Sequence, residues 1–207
     1  MRHATGITFV ALLATGCVDA YREHVMDPLN DVPAVLRLST EACTTSASAD
    51  DGRLTSNASS TRMRKITDAR AVPARVGAMH DFNKLDPIPL FQDPNAPLEI
   101  ALARRVARAL ATAQAPDLVV ADITLREAWV ESKQAKGLAL KGTVTASFVF
   151  TVEPVMLGGR TPALEFRGTT SGAYTYFKVA QHEAQLQAAF CDAVGKFEAW
   201  LAARPQG

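Results

Sequence analysis

The stretch Gly142–Val152, GTVTASFVFTV, is the clearest alternation in the chain. Val144, Ala146, Phe148, Phe150 and Val152 share one parity, and Thr143, Thr145, Ser147 and Thr151 share the other. Strand side chains point to opposite faces with a period of two, so the pattern predicts a strand with one face on an apolar core. Its other face, made of small hydroxyls, is left for water or a partner. Working toward the N-terminus, KQAKG (133–137) reads as a turn. Before it, DLVVADITLREAWV (117–130) sets Val119, Ala121, Ile123 and Leu125 against Asp122, Thr124 and Arg126. Toward the C-terminus, LGGR (157–160) marks a hairpin, and ALEFRGTTSGAYTYF (163–177) returns with Leu164 and Phe166 toward the core.

Two amphipathic helices flank these three strands. In PLEIALARRVARALATAQ (97–114), Leu98, Leu102, Val106 and Leu110 form one stripe with Ala101 and Ala109 beside it. Asn95 or Asp93 is placed to cap its start, and Pro97 suits a first turn. Arg104, Arg105 and Arg108 fall off the stripe, on an exposed face or a binding patch. In VAQHEAQLQAAFCDAVGKFEAWLAAR (179–204) the stripe runs Leu186, Phe190, Val194, Phe197, Leu201, with Cys191 at its edge. Upstream, PAVLRLSTEACTT (33–45) reads as a first strand, Leu36 and Leu38 alternating with Arg37 and Ser39. The element order is β-α-β-β-β-α. It predicts an α+β fold, an antiparallel sheet of about four strands with both helices packed on one face.

Between the first strand and the first helix the chain carries little periodicity. SASADDGRLTSNASSTR is small and polar throughout, which predicts a disordered loop at about 46–63. Arg62, Arg64, Lys65, Arg70 and Arg75 make 62–75 a basic loop, either solvated or set against lipid headgroups or lipopolysaccharide phosphates. FNKLDPIPLFQDPNAP (82–97) is a proline-punctuated lead into the helix.

The N-terminus decides the compartment. Arg2 and His3 supply a basic start, and GITFVALLATG (6–16) follows without a charge. The run is far shorter than the roughly 20 residues of a membrane-spanning helix and has the length of a secretory signal core. Ala14, Thr15 and Gly16 lead into Cys17, and ALLATGC resembles the lipobox of bacterial lipoproteins. The resemblance implies a signal peptide at 1–16 cut after Gly16, with diacylglycerol on Cys17 and an acylated new N-terminus. Several acyl chains hold a protein to a membrane where one holds it only marginally. By the same resemblance, Val18 rather than aspartate after Cys17 implies the outer membrane, with the domain facing the periplasm. Residues 17–33 then form a lipidated tether, and 34–207 a single α+β domain. With Cys17 lipidated, Cys43 and Cys191 remain, an even pair in an oxidising compartment, and are expected to form a disulfide pinning the first strand to the last helix rather than stay as two unpaired thiols.

Composition and motifs argue against other classes. The 22 basic and 21 acidic residues nearly cancel, so no field draws nucleic acid. HEAQL (182–186) begins like a zinc-protease helix, but Leu186 stands where a second histidine is needed. His24 and His80 fall in tether and loop, and no Cys/His spacing suits zinc. There is no nucleophile elbow and no phosphate-binding glycine loop. The reading is of no enzyme, no metal and no cofactor.

Taken together, the lipobox, tether, first strand, ITDARAVPARVG segment, helix, meander and closing helix resemble small periplasm-facing lipoproteins of Gram-negative bacteria. The YajG-type family is the nearest in plan, and LptE-like and ABC-transport auxiliary lipoproteins are similar. Asp68, Arg70, Val76 and Gly77 match an Asp-x-Arg segment followed by an apolar residue and glycine. The resemblance implies a non-enzymatic lipoprotein that binds or braces an envelope protein complex. The alternative is an accessory in lipid or lipopolysaccharide transport, holding acyl chains in an apolar groove between helices and sheet.

Overall fold

The structure is a computed structural model that describes residues 34–39, 43, 63–80, 86–113, 118–134, 141–156, 159–175 and 177–204. All belong to the compact unit Ala34–Gly207. Gly16, Cys17, the expected signal peptide and tether, and the expected loop at 46–63 apart from Met63 lie outside the described residues.

The chain order is β1 (Ala34–Leu36), β2 (Met63–Asp68), β3 (Arg75–Met79), β4 (Ile88–Gln92), α1 (Leu98–Thr112), β5 (Val119–Gln134), β6 (Gly142–Met156), β7 (Gly159–Arg160), β8 (Leu164–Tyr174) and α2 (Val179–Ala202). The class is α+β, but the antiparallel sheet of about four strands expected from the pattern is instead a mixed sheet of eight. β5, β6 and β8 are the expected antiparallel meander, with Phe148 opposite Ala128 on β5 and Gly168 on β8. What the pattern missed is the other half. β1 runs parallel to β4, β4 antiparallel to β3, and both β2 and β3 parallel to β5.

The 16-residue β5 hosts two short strands along one edge. β2 lies beside Val120–Leu125 and β3 beside Val130 and Glu131, so β2 and β3 act as one strand broken by residues 69–74. The segment read as a basic loop at 62–75 is therefore largely strand and turn. Its residues carry no clean period because two short strands are separated by a turn, and single side chains such as Asp68 and Arg70 answer to individual partners. β4 escaped notice through Pro89, which has no N–H to give a ladder. β1 pairs only from Leu90 onward, so Pro89 sits just past the point where a second neighbour would need that donor. Pro154 in β6 is tolerated likewise, since β8 stops pairing at Val152.

The core lies between the sheet and the two helices. Phe148 meets Phe190 edge-on at 5.1 Å, and Phe197 stands edge-on to Phe150 at 6.2 Å and Phe166 at 5.3 Å. The predicted stripes of both helices are buried, from Leu98 to Leu110 and from Leu186 to Leu201. Gly168 lets β8 approach α2, because a Cβ there would collide with the Ala189 carbonyl and lie 2.6 Å from the Ala193 nitrogen. On β5 the pattern slipped. Register shifts between Val120 and Asp122 and between Leu125 and Glu127 put Val120, not Val119, into the core. A bulge adds a residue and turns the parity over.

The start of α1 departs from expectation too. Pro97 is the N-cap and no side chain caps it; the Leu98 N–H donates instead to Gln92 Oε1 at 3.0 Å. Asp93 holds the preceding turn, accepting from the Asn95 N–H at 2.8 Å.

Candidate interaction surface

Both helices cover one face of the sheet, and the registers of β5, β6 and β8 arrange the other into rows. Lys133, Thr143 and Ala173 form one, followed by Glu131, Thr145 and Ser171, then Trp129, Ser147 and Thr169, then Glu127, Val149 and Arg167, and last Thr124, Thr151 and Glu165. The expected Thr and Ser surface is there on β6, but β5 and β8 add charge on both sides, so the face is not uncharged as the strand alone suggested. Val149 is 1% exposed on this polar side. Its neighbours Glu127 and Arg167 pair at 3.8 Å, and Arg167 also reaches Glu165 at 3.4 Å.

Trp129 is the large side chain of this face, half-buried. The Arg75 guanidinium lies 5.4 Å from its ring centroid, and its indole N–H donates to Glu131 Oε2 at 3.4 Å. Lys133 meets Glu131 Oε1 at 2.6 Å, and that bond, helped by the indole, holds the Glu131 carboxyl below the usual carboxylate range against the opposing effect of burial. Ser147 Oγ, in the same row, is buried without a hydrogen-bond partner. The surface was missed because bulges hide the parity of β5. Glu127, Trp129, Glu131 and Lys133 share one parity, and a tryptophan in that charged company was the available signal.

One helix, α2, reaches both the chain after β1 and strand β8. On the β1 side, the Arg37 N–H donates to Glu183 Oε2 at 2.9 Å and the Ser39 N–H to Gln187 Oε1 at 2.7 Å, while the Gln187 amide returns a bond to the Ser39 carbonyl at 2.9 Å. Cys43 and Cys191 are joined there as a disulfide, with Cα atoms 5.1 Å apart. On the β8 side, Asp192 accepts from the Thr169 N–H at 3.3 Å, and Lys196 donates to the Arg167 carbonyl at 2.8 Å. Lys196 also binds Asp192 at 2.9 Å and holds its carboxyl below the usual range. Edge groups occupied in this way are poor templates for another strand.

The remaining sequence candidates are structural. Asp68 and Arg70 pair with each other, Val76 is fully buried, and a Cβ on Gly77 would drive into the Val130 carbonyl oxygen. Arg64 meets Asp122 at 3.5 Å, and Arg105 meets Glu198 at 2.9 Å. Of the basic residues in 62–75, Arg64 and Arg70 are in ion pairs, Arg75 lies over Trp129, Lys65 is exposed and Arg62 falls outside the described residues, while Arg104 and Arg108 stay exposed. His182 is buried, its Nδ1–H donating to the Lys178 carbonyl at 2.8 Å, and Leu186 is core. The His80 N–H donates to Ser132 Oγ at 2.8 Å, and His24 lies outside the described residues. Among the described residues no three His, Cys, Asp or Glu stand together as metal ligands, and no helix is long and apolar enough to cross a membrane.

The fold and this surface define a mixed-sheet α+β domain with one helical and one open face. No family model matches the chain, and no curated protein matches it. The YajG-type likeness accordingly stays a resemblance and not a membership. Among solved structures, a DUF330-family protein from Xanthomonas campestris is similar over 82% of this chain and 93% of its own, at 11% identity and a TM-score of 0.47. A Caulobacter crescentus CB15 protein, provisionally described as a lipoprotein, is similar over 50% of this chain and 80% of its own, at 14% identity and a TM-score of 0.32. Likeness this loose transfers no role to the present chain.

Proposed function

We propose that this protein is a non-enzymatic lipoprotein of the bacterial cell envelope. It is anchored in the outer membrane by lipid on Cys17, faces the periplasm, and braces an envelope protein complex through the open face of β5, β6 and β8. The observation that carries this reading is the asymmetry of the sheet. Both helices and every core ring sit on one side, and the other side presents Trp129 among rows of short hydroxyls and paired charges. A tryptophan in a polar surround is a common anchor of protein interfaces. The acyl-binding alternative has less support, because Phe148, Phe150, Phe190 and Phe197 fill the space between helices and sheet where chains would lie.

A photo-crosslinking residue placed at Thr145 in cells should yield a discrete protein adduct, and Trp129→Ala should deplete it. Native mass spectrometry of protein extracted from its own membranes separates the two readings. Co-purified acyl lipid without a protein partner would reject bracing in favour of lipid handling. The anchor is tested by palmitate labelling of wild type and Cys17→Ser, where equal labelling ends the claim. Sucrose-gradient fractionation with the inner membrane would end the outer-membrane assignment.

A further inference from the structure

The corner where β1 meets α1 presents a shallow groove of about 220 Å³. Leu38 and Ser39 form one wall, and Ala96, Pro97, Ile100 and Arg104 from the start of α1 form the other. Ile100 is 39% exposed on a helix whose leucines and valine are all buried. Arg104 and Arg108 follow it at four-residue steps, which set side chains on one face of a helix. Both are exposed, and neither has a carboxylate partner among the described residues. Arg105, one step round the helix, is by contrast paired with Glu198. Arg37 at the groove margin is 76% exposed, though its Nε meets Asp93 at 2.9 Å.

We propose that this corner rests on an anionic phospholipid surface. Ile100 and the groove wall meet the headgroup boundary, and Arg104 and Arg108 bind lipid phosphates, their long stems lying along the apolar strip. The inference builds on the reading of Cys17 as the lipid anchor. Ala34, where the tether joins the domain, is four residues from the groove wall at Leu38, and 17 residues from Cys17. Fully extended, that length reaches no farther than about 60 Å. A domain held so close meets the bilayer at high effective concentration, so a patch of modest affinity stays engaged. Arg104 lines the groove beside Leu38, four residues along the chain from Ala34.

The test uses the full mature chain carrying Cys17→Ser, so that any vesicle binding belongs to the domain and not to the lipid. Co-sedimentation with phosphatidylglycerol–phosphatidylethanolamine vesicles at low salt should exceed that with phosphatidylcholine vesicles and fall as salt rises. Arg104→Gln and Arg108→Gln should each weaken binding about fivefold, as expected for one cation near an anionic surface. Ile100→Ser should weaken it also, and Lys141→Gln, exposed just before β6, should not. Unchanged melting temperatures confirm that the variants are folded. No preference for anionic vesicles, or equal binding by wild type and the two arginine variants, overturns the proposal. Absence of palmitate on Cys17 would remove the anchor while leaving the vesicle result to stand or fall by itself.

Discussion

Asp68 and Arg70 form a two-pronged ion pair at the break between β2 and β3. Arg70 Nη2 lies 2.6 Å from Asp68 Oδ2, and its Nε 2.9 Å from Oδ1. Nη2 also donates to the Pro73 carbonyl at 2.6 Å and to Gln92 Oε1 at 3.2 Å, the same oxygen that receives the first N–H of α1. The pair therefore ties the broken strand, the turn 69–74, β4 and the helix start together. The Arg70 side chain is only 6% exposed.

Removing the guanidinium leaves the half-buried Asp68 carboxylate, among the described residues, with only the backbone N–H of residue 70, at 3.1 Å, to answer its charge. Arg70→Met should lower unfolding stability by about 3 kcal/mol, within the range for broken buried pairs. Asp68→Asn combined with Arg70→Met should cost less than the sum of the single changes. Urea unfolding measures both; additive costs would mean that the two residues act separately.

The Cys43–Cys191 bond closes a loop of 148 residues across the seam between β1 and α2. Chain-entropy estimates assign such a loop about 4 to 5 kcal/mol. Reduction, or replacement of both cysteines by alanine, should lower the melting temperature by about 10 °C for a domain of this size. Thiol probes applied to unreduced, denatured protein should label neither cysteine, and two reactive thiols would contradict the bond.

Gly168 is needed for contact between β8 and α2, not for an unusual backbone. Gly168→Ala forces a methyl group into the helix backbone at Ala189 and should destabilise by about 2 kcal/mol or more, the cost of overpacking a close-fitted interface. Gly172→Ala makes a useful contrast, because there the new methyl meets the ends of Gln185 and Tyr174, which can move. A smaller effect at Gly168 than at Gly172 would show that the strand–helix spacing yields easily.

His182 gives the fold a dependence on pH. Burial pushes its imidazole below the ordinary value, with the Lys178 carbonyl pulling the other way. The unfolded chain therefore takes up the proton first. Stability is full above about pH 6.5 and declines as pH falls from there toward the lowered folded value, by at most about 1.4 kcal/mol per pH unit. His182→Gln should flatten that part of the profile. Chemical denaturation between pH 7 and pH 5 measures it, and an unchanged slope in the variant would clear His182 of the effect.

How much of this was legible in the chain depended on who each segment's neighbours were. The two helices and the meander were readable because each buries one face against many partners, which enforces a strict period on residues such as Leu186, Phe190, Val194 and Phe197. β2, β3 and β4 were not. Their stability rests on particular contacts, such as Arg64 with Asp122 and Gly77 against Val130, and a contact between residues more than 50 positions apart leaves no local rhythm. The open face was half readable, its hydroxyls on β6 but not the charges and Trp129 that bulges in β5 bring beside them.

The sequence by itself determined the α+β class, the identity of the core stripes, and the likeness of ALLATGC to a lipobox. These depend on local order. Tertiary structure alone decided that β5 hosts a broken parallel strand, that α2 reaches both the chain after β1 and strand β8, and that Arg104 and Arg108 stand apart from the cations that found carboxylates. Hydrophobic periodicity records only whether a side chain is buried, whereas pairing, register and charge neutralisation depend on which distant residue arrives beside it.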